Sequence, residues 1–315
     1  MKGKIFITKC FVTILLTSLI LISCRTVAEK KSLIFRDYPN LKLGFSTQNF
    51  LNSVPFNVEG LTEIMGYASK EGYQFVEIRD QFVDLSVDDC RQLAEVARQN
   101  KIEVIYVFNK NPLDPEFNTF FEKALSHVLV FTGPGILRAL ASKSEFDADA
   151  SKKGWNREEL TRLAAISDSC AMVCKAKKIQ FVFENRNEPF FGDSLNFYGL
   201  ADLFENTTTV GLQLDIANLF RKTIRVPTDP VKVEEYLPAL GSRWIETHLK
   251  TVSGGEVQPV LTDNPLPVEK IIDMMGKQNV VYAALELTAL EDKQKCIDNH
   301  ALSIRFLKDK GILKD

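Results

Sequence analysis

The strongest constraint on the fold of this chain is an alternation. From residue 41 onward, short apolar runs rich in β-branched and aromatic residues take turns with longer segments of helical spacing, eight times over. The strand-like runs fall at 41–47, 73–79, 102–108, 127–132, 179–184, 208–215, 243–248 and 280–286. Helical spacing follows at 58–70, 87–99, 117–125, from 156 onward, and at 195–204, 230–237, 267–276 and 293–308. Asn156 is the expected cap of the fourth helix, with Glu158 and Glu159 in its first turn. Strands separated by helices pair in parallel. Eight such units without an antiparallel interlude predict an α/β chain closed into a (β/α)8 TIM barrel rather than a doubly wound open sheet. No Gly-x-Gly-x-x-Gly segment or phosphate loop supports a nucleotide fold.

The first residues follow a different logic. Lys2, Lys4 and Lys9 precede an apolar run, 11–22, that is short for a bilayer span. Leu21-Ile22-Ser23-Cys24 then resembles a bacterial lipoprotein signal, cut before a cysteine whose thiol receives a diacylglycerol. An ordinary secretory signal or an uncleaved anchor is the alternative. The reading gives a signal peptide at 1–23, a polar tether at 24–40 and a catalytic barrel at 41–315. It also gives an exported protein held at the bacterial cell envelope through lipid on Cys24. Of six cysteines, Cys90, Cys170, Cys174 and Cys296 remain in the body. Cys170 and Cys174 are in phase with Leu160, Leu163 and Ser167, which makes them core-facing helix residues rather than a metal pair. A chain of 315 residues, 45% hydrophobic, can bury a large core without disulfides. Its net charge of -2 argues against a nucleic-acid binder that works by neutralising phosphates, and points to small-molecule ligands.

In barrels of this kind functional residues are the last inward-pointing ones before the loops at the carboxyl ends of the strands. Side chains alternate along a strand, so parity tests each candidate. Val182 and Glu184 share a face while Phe181 and Phe183 take the other. The same count pairs Gln213 with Asp215, Glu246 with His248, and Ala284 with Glu286. Four consecutive strands therefore bring a carboxylate or an imidazole to one mouth. Three carboxylates there would repel each other towards protonation, and a divalent cation removes that conflict. We expect Glu184, Asp215, His248 and Glu286 to converge on one ion, with Mn²⁺ or Mg²⁺ favoured and Zn²⁺, Co²⁺ or Fe²⁺ also compatible.

The motifs Phe183-Glu184-Asn185, Gln213-Leu214-Asp215-Ile216-Ala217-Asn218, Thr247-His248-Leu249-Lys250 and Leu285-Glu286-Leu287 resemble those of the xylose isomerase-like barrels, in particular the sugar phosphate isomerase/epimerase branch. The resemblance runs from about residue 41 to the C-terminus. It implies a metal held by Glu184, Asp215, His248 and Glu286, with Glu184 and Glu286 doubling as the proton-transfer pair. The implied chemistry is isomerisation or epimerisation of a saccharide or keto-sugar through an enediolate, which suits the residue types. The chain departs from the family where a common histidine is Asn218, where Thr251 follows Lys250, and where 258–267 replaces a Gly-rich segment.

Glu77 and Arg79 are candidates to bind substrate hydroxyls or to form a structural salt bridge. Asn218 and Glu246 are further candidate substrate contacts. Lys250 and Arg186 are candidates to meet a phosphate or acidic sugar, with exposed loop cations the commoner explanation. Tyr106, Phe108, Phe190 and Phe191 read as core packing ahead of sugar stacking. His127 and His300 read as structural. With only three histidines in the chain, a histidine-rich three-zinc endonuclease site is disfavoured. The competing functions are a metal-dependent lyase or dehydratase acting on an oxidised sugar, and a non-catalytic carbohydrate-binding lipoprotein.

Overall fold

The structure, a computed structural model, describes residues 32–314 apart from 81–83, 111, 132, 134, 141–155, 186–205, 220–233, 235–236, 255 and 264–265. The strands in chain order are β1 (Lys42–Ser46), β2 (Phe75–Arg79), β3 (Glu103–Val107), β4 (Ile136–Leu140), β5 (Gln180–Glu184), β6 (Gly211–Asp215) and β7 (Trp244–Leu249), then the short pair β8 (Val252–Ser253) and β9 (Glu256–Val257), and β10 (Tyr282–Leu285). The helices are α1 (Val58–Glu71), α2 (Val87–Asn100), α3 (Phe117–Val128), α4 (Arg157–Ala176), α5 (Val268–Lys277) and α6 (Lys293–Asp309). Eight strands close in the order β1-β10-β7-β6-β5-β4-β3-β2, every neighbour parallel. Closure comes from β1 and β10, in register from Lys42↔Tyr282 to Phe45↔Leu285. This is the (β/α)8 barrel that the alternation predicts.

Parity sorts the strand residues into two cores. Phe75, Ile105, Val107, Ile136, Val182, Tyr282 and Ala284 pack against one another inside the barrel. Their sequence neighbours Val76, Val104, Phe181, Phe183 and Leu285, with Leu212 and Leu214 of β6, join the larger core beneath the helices. Each fully buried large apolar side chain contributes about 1.5–3 kcal/mol by leaving water. Gly44 is required in β1, because a Cβ there would sit against the Phe75 ring and carbonyl. The helices begin where local chemistry starts them. Ser86 and Asp89 form a capping box on α2, and Asn156 and Glu159 form one on α4, the expected cap. On α4, Leu160, Leu163, Ser167, Cys170 and Cys174 all face the core, and Cys90, Cys170, Cys174 and Cys296 are free, buried thiols.

Two expectations are corrected. The apolar run at 127–132 is not the fourth strand. Phe117, Phe121, Ala124, Leu125 and Val128 are buried on one face of α3, so helical period carries through His127 and Val128, and the strand is Ile136–Leu140. The tether is shorter than 24–40 at its C-terminal end. Leu33 and Phe35 are buried, Leu33 N–H donates to Gly72 O at 2.9 Å, and Phe35 bridges to Leu313, so residues 33–35 belong to the barrel. The signal peptide, Cys24, the helix at 195–204 and nearly all of that at 230–237 lie outside the described residues, as do Arg186, Phe190 and Phe191. Among the described residues no helix is long and apolar enough to cross a membrane.

Candidate functional site

The four strand-end residues meet. Glu184 ends β5, Asp215 ends β6, His248 is the penultimate residue of β7, and Glu286 directly follows β10. One donor atom from each lies within 4.8 Å of the others, and all four side chains are buried. The meeting follows from register: Asp215 is opposite His248 across β6 and β7, and Ala284, one inward position before Glu286, is opposite His248 across β10 and β7. His248 Nδ1 is 2.5 Å from Glu286 Oε2, 3.5 Å from Glu184 Oε1 and 3.8 Å from Asp215 Oδ2, yet has no aligned hydrogen-bond partner. A buried imidazole nitrogen facing three carboxylates at 2.5–3.8 Å fits a metal ligand. The oxygen-rich set suits a hard or borderline divalent ion.

The other face of the imidazole is held. His248 Nε2 is 3.0 Å from each oxygen of Glu77, and Gln213 Nε2 donates to Glu77 as well. A carboxylate behind a histidine fixes its tautomer and ring plane and raises its basicity towards a metal. Glu77, one of the candidate substrate contacts, is completely buried and orients His248. Glu246, also a candidate contact, is completely buried two residues before His248 on the inward face of β7.

Cations brace the carboxylates. Arg79 Nη2 donates to Glu286 Oε2 at 2.7 Å and its Nε to Ser46 Oγ at 3.0 Å. Lys250 Nζ bridges Asp215 Oδ2 and Glu286 Oε1, both at 2.7 Å. Arg138 Nη1 donates to Glu184 Oε2. Asn185 and Asn218 complete the rim. Asn185 exchanges hydrogen bonds with the Asp215 backbone, Asn218 N–H donates to Asp215 Oδ1 at 3.1 Å, and Asn218 Nδ2 donates to Asn185 O at 2.9 Å.

Arg138 is the functional-site residue that sequence reasoning misses. The strand-like composition of 127–132 masks the true fourth strand, where alternation in Ile136-Leu137-Arg138 sets Arg138 on the inward face with Ile136. Tyr106 and Phe108 pack outward into the helical layer, and Tyr106 Oη meets His127 Nδ1 at 2.8 Å.

Electrostatics follow from burial and pairing. Burial pushes the Asp215 carboxyl up, but Lys250 and His248 outweigh it and hold it at about 2. Glu77 is likewise opposed by burial and held at about 2 by His248, Arg138 and Arg79. Glu286 lies well below the usual carboxylate range because Arg79, Lys250 and His248 overcome its burial. Burial lowers His248, but Glu77 and Glu286 win and raise it well above an ordinary histidine. Glu246 moves the other way: burial first, then the neighbouring Glu77, lift it well above an ordinary glutamate. Burial and the nearby Arg79 bring Arg138 down to about 10.

With this geometry in hand, the chain can be compared with known proteins. No protein-family model matches the sequence, and no curated protein matches it. Solved structures do. A D-psicose 3-epimerase from Clostridium cellulolyticum H10 superposes with a TM-score of 0.63 at 13% identity, covering 87% of this chain and 100% of that one. A sugar phosphate isomerase/epimerase from Parabacteroides distasonis gives 0.62 at 13%, covering 92% and 100%. A probable 3-DHS dehydratase, AsbF, from Bacillus anthracis gives 0.61 at 14%, covering 85% and 99%. An AP endonuclease of family 2 shares the architecture too. At these identities the likeness establishes the fold alone, the closed (β/α)8 barrel that these sugar epimerases and isomerases also have. The buried cluster of acids and one histidine is of the kind that binds a metal ion.

Proposed function

We propose that this protein is a metal-dependent sugar isomerase or epimerase, in which Glu184, Asp215, His248 and Glu286 hold one divalent ion, Mn²⁺ or Mg²⁺ before others. The observation that carries the reading is the convergence of those four donors, with His248 Nδ1 facing three carboxylates while Glu77 holds Nε2. The similarity of the fold to that of sugar epimerases supports a carbohydrate substrate. A bound divalent ion supplies Lewis acidity for a carbonyl oxygen and its neighbouring hydroxyl.

The chain's own residues then do the rest. Glu184 and Glu286 approach from different strands and exchange a proton with the carbon beside the carbonyl, one taking it and the other returning it to the opposite face. Each well-placed acid or base contributes about 10²- to 10⁴-fold in rate. Arg138 fixes one oxygen of Glu184, while Arg79 and Lys250 fix both oxygens of Glu286, so each carboxylate is held in one orientation. Glu77 and Gln213 hold the imidazole.

The test is solvent deuterium uptake into keto-sugars by the metal-loaded protein. Exchange at the carbon beside the carbonyl, lost in Glu184→Gln and in Glu286→Gln, is the expected result. Loss of a β-hydroxyl instead would make the protein a lyase, and neither reaction on any saccharide would leave a carbohydrate-binding protein. We also propose that residues 1–23 are a lipoprotein signal and that Cys24 carries the lipid at the cell envelope. Support comes from Leu21-Ile22-Ser23-Cys24 after a basic and apolar leader. Palmitate labelling that persists in a Cys24→Ser variant would overturn it.

A further inference from the structure

Glu286 stands one residue beyond β10, where the sheet no longer holds the chain on both sides. On the β7 side Glu286 N–H still reaches Leu249 O, at 3.2 Å. On the β1 side the backbone has turned into a short 3₁₀ segment, Thr47–Phe50. There a side chain takes over. Asn49 Nδ2 donates to Leu285 O at 3.1 Å, and Asn49 Oδ1 accepts from Leu287 N–H at 2.9 Å. A residue in a parallel ladder makes this same pair of bonds to the carbonyl before and the amide after the residue opposite it. The Asn49 carboxamide therefore acts as one extra rung of β1 facing Glu286.

We propose that Asn49 and His300 are a positioning pair for Glu286: the carboxamide clamps the two peptide groups that flank the carboxylate, and His300 locks the carboxamide. This rests on Glu286 being a metal ligand and proton-transfer group as read above. The lock follows from donors and acceptors. Leu287 N–H can only donate, so Asn49 must present its oxygen there and its NH₂ to Leu285 O and to His300 Nε2, which is 3.1 Å away. Nε2 must then accept, and the ring proton sits on Nδ1, which meets Tyr73 Oη at 2.9 Å. A second proton on Nε2 would oppose the Asn49 NH₂. The surroundings forbid it: His300 is buried among Phe45, Phe50, Tyr67 and Tyr73, and burial lowers it to about 3. A side chain that looks structural from its place on the apolar face of α6 is thus joined through one residue to the peptides around Glu286.

The test is Mn²⁺ affinity, measured by titration calorimetry on the purified chain, alongside thermal melting. Asn49→Asp keeps the acceptor and removes the donor, Asn49→Leu removes both, His300→Phe removes the lock, and His300→Gln restores an acceptor for the Asn49 NH₂. Positioning predicts Mn²⁺ affinity about tenfold or more weaker in the folded Asn49 variants, a smaller loss in His300→Phe, and recovery in His300→Gln. A merely structural role lowers the melting temperature but leaves the affinity of the folded variants within about twofold of wild type, and that result overturns the proposal. If wild type binds no Mn²⁺, the metal reading fails by itself, and exchange of the Leu287 amide decides the clamp. It quickens by about tenfold or more in Asn49→Asp if the clamp holds Leu287, and is unchanged if it does not.

Discussion

Replacing Lys250 by methionine separates the two ways in which the strand-end carboxylates can be neutralised, by the protein's own cation or by a metal. Lys250 Nζ is 2.7 Å from Asp215 Oδ2 and 2.7 Å from Glu286 Oε1, and the residue is buried. Adding a metal–oxygen bond of about 2.1 Å to that 2.7 Å contact puts an ion on either oxygen within about 4.8 Å of the ammonium. At an effective dielectric constant of about 20, charges of +2 and +1 at that distance repel by about 7 kcal/mol. Outward movement of the flexible lysine relieves most of this, but one fifth surviving is about 1.4 kcal/mol, a factor of ten in affinity. Lys250→Met should therefore bind Mn²⁺ about tenfold tighter or more. The metal-free variant should be less stable, because removing one partner of a buried ion pair costs about 3–5 kcal/mol. At about 2–4 °C per kcal/mol for a domain of this size, that is a fall of about 6–20 °C in Tm, recovered when Mn²⁺ is added. Titration calorimetry on chelator-stripped protein and scanning calorimetry with and without Mn²⁺ measure both halves. Mn²⁺ affinity in Lys250→Met equal to or weaker than wild type would refute the competition.

Other consequences are as direct. Arg138→Met strands a buried Glu184 carboxylate and should cost about 3–5 kcal/mol, while Arg138→Met with Glu184→Gln should recover much of it; equal stability of the single and double variants in urea unfolding would contradict the pairing. Burial and Glu77 raise Glu246 in the fold, whereas the unfolded chain ionises it in the ordinary range, so above about pH 4.5 the unfolded state binds fewer protons and stability from this group declines as pH rises. Glu246→Gln should remove that decline, so its Tm relative to wild type should rise between about pH 5 and 8; parallel Tm profiles would argue against a raised Glu246. Asp215 and Glu77 have the opposite sign. Both are held at about 2, so their contributions are present above about pH 4.5 and are lost as pH falls towards 2.

How much of this is legible in the sequence depends on whether the signal is local. Glu184, Asp215, His248 and Glu286 are found by parity because each ends an apolar run whose alternating residues choose between two cores, and Phe181 and Phe183 on the outer side leave Glu184 no other face. The barrel is legible for the same reason: eight strand and helix periods in sequence need no knowledge of what packs on what. Strand four fails because Val128-Leu129-Val130-Phe131 has strand composition at the end of a helix, while Ile136–Leu140 carries an arginine at its centre. Period and composition disagree there, and only the long-range packing of Phe117, Phe121 and Val128 decides. Leu33 and Phe35 fail similarly, since their partners are Gly72 and Leu313, far along the chain. Glu77 is legible as an inward residue but not in its role, because its partner His248 lies 171 residues away. The Asn49 rung is invisible before the fold exists: nothing local in Thr47-Gln48-Asn49-Phe50 announces a side chain that continues a strand.

The central claim is that four side chains hold one divalent ion, and the most direct measurement is Mn²⁺ stoichiometry and affinity of the stripped protein beside Glu184→Gln and His248→Ala. The account predicts one Mn²⁺ per wild-type chain and losses of about a hundredfold or more in both variants. Unchanged binding in the two variants, with their folds intact by circular dichroism, would contradict it.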